Sequence, residues 1–547
     1  MEIPRCRFSV YRVKPVNGTQ LDTVGKLYLN SANHRINFFH PPTHVGANVD
    51  FMVPEEERHI ISDLLEGGMT PEELVHDVRR FIRLRDMENR GRRLVLRDFR
   101  RLRDDAGMPF YNLAGYHSYD EMNNFMQSLS RTHPHIVRVL TIGRTHEGRP
   151  INVAEIGAKT KSNKPAIWID GGIHAREWVS PAAAMYFMHK LAGGYATDSG
   201  VRRLVDELDW YIAPVLNPDG YEYSRSSDDP EVRLWRKNRS PTRCIHGQTP
   251  HIHNQRFCCR GVDLNRNYDF HWGETGSSTD PCSEIYQGQR AFSEPETQAV
   301  RDFIRSQNNR FHSFITMHSY SQIWMYPYGH QRRAYPRDVN DLQRVAMRAK
   351  DALQRVYGTR YTVGTGADTL YPASGGAEDW AKVEGKVKYS YLIELRPNDN
   401  VWDGFFLKER DIIPTGQETF EGIKVVAETV IDEFGDRNAP QTVQPQPLPN
   451  AVVVPVSQCL DHDSKCKIWS DRGACTAWPQ VMQQRCPLSC GHCGNGRPQF
   501  TTTTSTTTQV SLCFDNWVEC KHWSKIGMCN QLSQQCRRSC GICDARG

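Results

Sequence analysis

His174 and Glu177 stand three residues apart in Gly171-Gly172-Ile173-His174-Ala175-Arg176-Glu177-Trp178, a spacing at which one turn or helix segment can aim both at a single ion. An H-x-x-E pair alone is a weak signal that more often marks a surface turn. Its position gives it weight, because it directly follows the apolar run Ala-Ile-Trp-Ile-Asp at 166–170. In open α/β sheets, ligands collect beyond the carboxyl ends of strands. His318, in Phe314-Ile315-Thr316-Met317-His318-Ser319-Tyr320, follows a second apolar run and is a third candidate ligand.

The elements that must hold these side chains are legible as alternation. Between about 110 and 435, strand-like runs at 166–170, 210–215, 311–317 and 389–394 alternate with longer amphipathic stretches, which argues for an α/β sheet layered by helices. Residues 1 to about 95 read as a smaller α/β unit with strands at 8–13 and 35–39. Thr70-Pro71-Glu72-Glu73 carries helix-start chemistry, with Thr as N-cap, Pro at the first helical position and Glu in the opening turn. That helix is expected to carry Leu74, Val78, Phe81 and Ile82 on one face. Arg97-Asp98-Phe99-Arg100-Arg101-Leu102-Arg103 then places four arginines in seven residues, either a solvated helix face or an exposed site for a trypsin-like protease. Residues 436–458 are proline-rich and 499–509 are nearly all threonine, so both read as linkers.

Composition narrows the function classes. The 547 residues contain no run of eighteen apolar residues that could span a membrane. A net charge of +5, from 68 basic and 63 acidic residues, is too small at this length to point to nucleic acid or an anionic membrane as the main partner. The 17 cysteines are placed unevenly, with twelve of them between Cys459 and Cys543. They form two copies of a six-cysteine pattern, each ending Ser-Cys-Gly-x-Cys. Six thiols per copy exceed what a zinc knuckle needs, so the pattern reads as tandem disulfide modules from an oxidising, extracellular compartment. The opening Met-Glu-Ile-Pro-Arg-Cys-Arg-Phe has no apolar leader, and the expectation is that a secretion signal has been cut from the given sequence or that Met1 is not the natural start.

Further motifs occur in order: Asn217-Pro218-Asp219-Gly220-Tyr221, Leu234-Trp235-Arg236-Lys237-Asn238-Arg239-Ser240, Gly261-Val262-Asp263-Leu264-Asn265-Arg266-Asn267, His318-Ser319-Tyr320-Ser321, Ala373-Ser374-Gly375-Gly376 and Ile393-Glu394-Leu395-Arg396. With H-x-R-E-W, these resemble the zinc metallocarboxypeptidases of the pancreatic A/B type, and the preceding unit is similar to that family's inhibitory pro-domain. The two cysteine repeats resemble the ShK toxin-like domain, common in nematode proteins. The resemblance implies a zinc carboxypeptidase fold, a mixed central sheet layered by helices, after a small α+β pro-domain and before two disulfide-rich helical modules. The expected organisation is pro-domain and activation segment 1–103, catalytic domain 104–435, linker 436–458, first module 459–493, linker 494–512 and second module 513–543.

For the site, the resemblance implies that His174, Glu177 and His318 bind one Zn²⁺. Two neutral imidazoles and one carboxylate leave that ion positive, able to acidify water and polarise a carbonyl. It further implies Glu394 as general base and Arg236 as the group steadying the oxyanion. Asn265, Arg266 and Tyr371 would grip the substrate's C-terminal carboxylate, Arg176 would line the next substrate position, and Asp263 would orient His174. Partners would be peptide or protein C-termini and an activating trypsin-like protease. Glu378 falls at the family's pocket-floor position, and a buried carboxylate needs a cationic partner. The expectation is therefore a preference for C-terminal Lys or Arg, with Gly366 leaving room for a long side chain. Glu is one methylene longer than Asp and shortens the pocket; the alternative is that Glu378 turns outward. Implied disulfides are Cys259–Cys282 and, in the modules, Cys459–Cys493, Cys466–Cys486, Cys475–Cys490, Cys513–Cys543, Cys520–Cys536 and Cys529–Cys540. Cys244 and Cys258 bracket an inserted stretch and are expected to pair, which leaves Cys6 unassigned. The modules lack the Lys-Tyr pair of channel blockers, so tethering to extracellular matrix or cuticle is the reading kept for them. A matrix-interaction protein with secondary or absent peptidase activity is the competing function. Asn17 and Asn238 both stand in glycosylation acceptor triplets.

Overall fold

The computed structural model describes residues 7–97, 108–161, 163–246 and 256–435, and in the tail 461, 466–471, 482 and 486–490. It divides into two units, 1–444 and 445–547. Among the described residues no helix is long and apolar enough to cross a membrane.

The N-terminal part of the first unit contains strands β1 (Phe8–Val13), β2 (Asn37–Phe38), β3 (Val49–Pro54) and β4 (Glu72–Val75), with helices α1 (Gly18–Leu29), α2 (His59–Glu66) and α3 (Val78–Arg97). The sheet order is β2-β3-β1-β4, and all pairings are antiparallel. Two local expectations are corrected here. The stretch 35–39 is strand only at 37–38, and Arg35, at a left-handed φ of 53°, instead closes the preceding turn at Ser31–His34. The helix does not start at Thr70: Glu72–Val75 closes the open edge of β1, and the helix begins at Val78, where Asp77 Oδ1 accepts from Arg80 N at 2.9 Å. Sheet-edge pairing outweighed a local cap signal. Val78, Phe81 and Ile82 do share an apolar face on α3, while Leu74 joins the same cluster from the strand.

The larger part runs α4 (Tyr119–Thr132), β5 (Val137–Arg144), β6 (Pro150–Ile156), β7 (Ala166–Asp170), α5 (Val179–Gly194), α6 (Ser199–Glu207), β8 (Asp209–Ala213), α7 (Pro218–Arg225), α8 (Pro230–Arg233), β9 (Arg243–His246), β10 (Arg256–Cys259), α9 (Pro295–Ser306), β11 (Phe311–Ser321), β12 (Ile323–Tyr326), α10 (Val339–Tyr357), β13 (Thr362–Thr365), α11 (Gly366–Thr369), α12 (Ala377–Val383), β14 (Tyr389–Asn398) and α13 (Ile412–Phe434). Eight strands form one mixed sheet in the order β13-β12-β14-β11-β7-β8-β6-β5. The central β14, β11, β7 and β8 are mutually parallel, and the edges bring in antiparallel pairs. Alternation along β7 shows how the sheet is covered. Ile167 and Ile169 pack into a core shared with α4, α5, α10 and α13, while Ala166 and Trp168 pack into a second core shared with α9 and α12. Strands buried on both faces read as near-continuous apolar runs, which is why they were visible in the sequence.

Disulfides join Cys244 to Cys258, Cys259 to Cys282 and, in the tail, Cys466 to Cys486. The first spans the β9–β10 hairpin. Helix α14 (Cys466–Asp471) lies in the tail unit. Cys6, the Arg-rich run from Asp98 onward, both linkers and the second module lie outside the described residues. So does at least one partner in each of the pairings Cys459–Cys493, Cys475–Cys490, Cys513–Cys543, Cys520–Cys536 and Cys529–Cys540.

Candidate active site

Strand ends bring the site together. β7 runs into the turn carrying His174 and Glu177, β11 carries His318, and register places His318 directly beside Glu394 on β14. His174 Nδ1 is 2.7 Å from Glu177 Oε1, His318 Nδ1 is 3.3 Å from Glu177 Oε2, and the two Nδ1 atoms are 3.1 Å apart. All three residues are buried, and one ligand atom from each lies within 4.8 Å of the others. Two nitrogens and a carboxylate, with no thiol, fit a zinc ion that keeps an open position. Burial alone would raise the Glu177 carboxyl, but His174 and His318 outweigh it and hold the group well below the usual range.

Asp263 lies behind this trio and is fully buried. Its Oδ1 is 3.0 Å from His174 Nε2 and accepts from Asn265 N at 3.0 Å, while Oδ2 accepts from Arg236 Nε at 3.0 Å. One carboxylate thus fixes a ring, a turn and a guanidinium. Burial would lower the Arg236 guanidinium, yet Asp263 outweighs it and raises it, so the charge is secure. Arg236 Nη1 is 3.9 Å from Glu177 Oε1, on the rim of the candidate metal centre. Glu394 keeps Oε2 buried without a hydrogen-bond partner, and burial, with Glu177 adding to it, pushes its carboxyl well above ordinary values.

Asn265 uses its Oδ1 to accept from Ala377 N at 2.9 Å, which leaves Nδ2 as a donor. Arg266 is braced by donating to Gly276 O and Asn265 O, each at 2.8 Å, and its Nη2 is 3.4 Å from Tyr371 Oη. These three side chains form one donor group near Asp263 and Arg236. Glu378, in the first turn of α12, is 8% exposed and does not turn outward. Of three neighbouring buried acids, Asp170 accepts from Trp168 and Thr316, and Asp379 accepts from Gly329 N at 2.8 Å. Glu378 alone keeps an unpartnered oxygen, Oε2. Burial pushes its carboxyl up, with Arg266 opposing. A Cβ on Gly329 would come 3.6 Å from Glu378 Oε1, and one on Gly366 would come 3.6 Å from Gly329 Cα. Gly329 therefore lies directly against the Glu378 carboxylate, and Gly366 packs against Gly329.

A second group, His146, Glu294 and Glu296, also has ligand atoms within 4.8 Å of one another. Asn238 Nδ2 donates to Glu294 Oε2 and Glu296 Oε2 at 2.8 and 3.0 Å and so ties the two carboxylates together as structure.

The sequence matches the family model described as "Zinc carboxypeptidase" over residues 122–422, "Carboxypeptidase activation peptide" over 11–84 and "ShK domain-like" over 458–493 and 512–543. Carboxypeptidase B of Astacus astacus is 45% identical over 319 residues, 58% of this chain and 98% of that protein. The chain belongs to the zinc carboxypeptidase family. Carboxypeptidase A2 of Rattus norvegicus is 38% identical over 425 residues, covering 77% of this chain and 94% of that one. Among solved structures, thrombin activatable fibrinolysis inhibitor superposes with a TM-score of 0.65 at 31% identity, over 78% of this chain and 100% of its own. Carboxypeptidase A from Helicoverpa armigera gives 0.66 at 29%, over 79% and 99%.

This zinc carboxypeptidase carries its activation peptide packed on the catalytic domain. Phe8, Val10, Phe39, Met52, Val78 and Ile82 share one buried cluster with Leu234, Tyr320, Phe405 and Phe406. Ion pairs ring it: Arg79 and Arg83 with Asp228, Arg79 with Asp229, Arg85 with Asp403 at 2.6 Å and Arg35 with Glu231 at 2.7 Å. Surface pairs contribute about 0–1 kcal/mol each, against about 1.5–3 kcal/mol for each large apolar side chain buried, so the cluster dominates the docking. The pro-domain also reaches the cleft, where Arg176 Nη1 donates to Asn37 Oδ1 at 3.0 Å and to Leu234 O at 3.2 Å. Arg176 is thereby shared between Asn37 of the pro-domain and Leu234 of the catalytic domain in this state. Sequence reading missed Asn37, Gly329, Thr316 and Asp170. Only Asp170 left a signal, an acid closing an otherwise apolar strand.

Proposed function

We propose that this carboxypeptidase is a secreted zymogen that, once cleaved, removes C-terminal Lys or Arg from peptides or proteins. The carrying observation is Glu378: a buried carboxylate with an unpartnered oxygen, beside side-chain-free Gly329, calls for a cation from outside. The similarity to a protein named carboxypeptidase B supports this reading. Secretion is supported by the disulfides and the ShK domain-like stretches, for which a tethering role on extracellular matrix is part of the proposal.

His174, Glu177 and His318 would hold the zinc, which when bound supplies an acidified water and a polarised carbonyl. Asn265 Nδ2, Arg266 and Tyr371 would hold the substrate's terminal carboxylate, restricting cleavage to the last bond. Glu394 would take a proton from the attacking water and give it to the leaving amine; its raised carboxyl suits a group that must hold that proton between the two transfers. Arg236, fixed by Asp263, would donate to the oxygen on which negative charge develops, and Arg176 would bind the preceding residue once Asn37 has left. The test is to cleave the purified protein with trypsin and assay peptides ending in Lys, Phe or Glu, with and without chelator. Chelator-sensitive release of Lys well above Phe is expected. No chelator-sensitive release would refute the site assignment, and equal release of Lys and Phe would refute the specificity.

A further inference from the structure

Metal-binding histidines need their second ring nitrogen held by an acceptor, which selects the tautomer and the ring angle. For His174 that acceptor is Asp263, already implied by the sequence. His318 has no carboxylate in direct contact on its outer side; it has a hydroxyl instead. Thr316 and His318 are two apart on β11 and so project to the same face, and Thr316 Oγ1 lies 3.3 Å from His318 Nε2. The register of β11 against β7 sets Thr316 directly beside Asp170, and Thr316 Oγ1 donates to Asp170 Oδ1 at 2.7 Å. Trp168, two residues earlier on β7, donates its Nε1 to Asp170 Oδ2 at 2.6 Å. All four residues are at most 1% exposed.

Hydrogen-bond direction follows from the inventory of donors. Trp168 Nε1 can only donate, and it takes one oxygen of Asp170. The single hydroxyl proton of Thr316 goes to the other oxygen, at the shorter of its two contacts. Thr316 Oγ1 is then left with lone pairs toward His318, so Nε2 must carry the proton. The lone pair of the neutral ring consequently sits on Nδ1, the atom 3.1 Å from His174 Nδ1 and 3.3 Å from Glu177.

We infer that Thr316 and Asp170, anchored by Trp168, are positioning residues that hold the ring proton of His318 on Nε2 and so turn Nδ1 toward the metal position. The inference rests on the reading of His318 as a zinc ligand. It would explain why an acid closes the apolar strand β7 deep in the sheet.

The test uses the full-length zymogen and measures its zinc dissociation constant by competition with a chelator of known affinity. Thr316→Val keeps the shape and removes the hydroxyl. Its zinc affinity is expected to fall about 10–100-fold, the usual effect of losing such a partner. Asp170→Asn should fall by a similar factor, because one amide group cannot accept from both Thr316 and Trp168. Thr316→Ser keeps the hydroxyl and should stay within about threefold of the parent. Thermal melting of the metal-free proteins shows whether each variant folds, and Asp170→Asn carries the test if Thr316→Val does not. His318→Gln separates the two claims. If it leaves zinc affinity unchanged, the ligand assignment fails and the inference with it. If it abolishes binding while folded Thr316→Val binds zinc as tightly as Thr316→Ser, the relay alone is overturned.

Discussion

Glu378→Gln isolates the charge of the proposed specificity pocket with almost no change in shape. The side chain is 8% exposed, has no ion pair among the described residues, and keeps Oε2 without a partner. A substrate ammonium entering beside it would form a buried charge pair. Removing one partner of such a pair costs about 2–5 kcal/mol, so a central figure of about 3 kcal/mol corresponds to roughly 100-fold in kcat/KM. Peptides ending in Lys should lose that factor in the trypsin-activated variant, while peptides ending in Phe, which gain nothing from the carboxylate, should change by less than about threefold. The same substitution removes an unpaired buried charge, so the melting temperature of the zymogen should not fall. The pH dependence gives an independent arm. Burial raises the Glu378 carboxyl, and only its deprotonated form pairs with Lys. In the parent enzyme the Lys-to-Phe ratio of kcat/KM should therefore fall as pH drops through that raised value, and in Glu378→Gln it should be flat. A ratio that shifts by less than threefold on substitution, or that ignores pH in the parent, would refute the reasoning.

Three other outcomes follow. Phe39→Ala in the uncleaved zymogen should raise basal peptidase activity severalfold, whereas Arg83→Ala should change it by less than twofold, because the apolar cluster outweighs the exposed ion pairs; equal effects would reverse that ranking. Acidification should also loosen the zymogen. Burial, then Arg176 and Arg236, depress His40 from 6.5 to about 4, with Glu177 opposing and the Tyr320 ring packed on it. The docked ring thus stays neutral while a released one protonates, so this ring's contribution to docking is full above about pH 6.5, and up to about 3 kcal/mol of it is lost as pH falls toward 4. Susceptibility to trypsin should rise across that window, and His40→Phe should flatten the rise. Finally, protein expressed through a secretory pathway should carry an N-glycan at Asn17 and none at Asn238. Asn17 is exposed at the start of α1 with its Oδ1 facing Gln20 N, whereas Asn238 is fully buried with Nδ2 donating to Glu294 and Glu296. Mass spectrometry after enzymatic deglycosylation reads both sites.

What the sequence revealed and what it hid differ by the range of the interaction. The His174–Glu177 turn, the Asp263–Arg266 segment and the Ala373–Glu378 stretch are short, and each keeps its chemistry within a few residues, so their ordered succession is legible in the sequence although no one of them decides alone. Central strands buried on both faces also stand out as apolar runs. Thr70-Pro71-Glu72-Glu73 shows the limit of such local signals: it has the residues of a helix start, yet β1 had an unpaired edge and Glu72–Val75 filled it. Which residues register sets side by side is not legible in any local stretch. Glu394 lies beside His318, and Asp170 beside Thr316, only because β14, β11 and β7 are neighbours in one sheet, with 146 residues separating Asp170 from Thr316. The same is true of Asn37 against Arg176, where a side chain from the activation peptide occupies a cleft residue 139 positions away. Motifs therefore locate the candidate ligands, whereas only strand order shows which neighbours stand beside each of them. Substitutions at Thr316 and Asp170 accordingly probe the fold's contribution to the candidate metal site more directly than any change to the candidate ligands themselves.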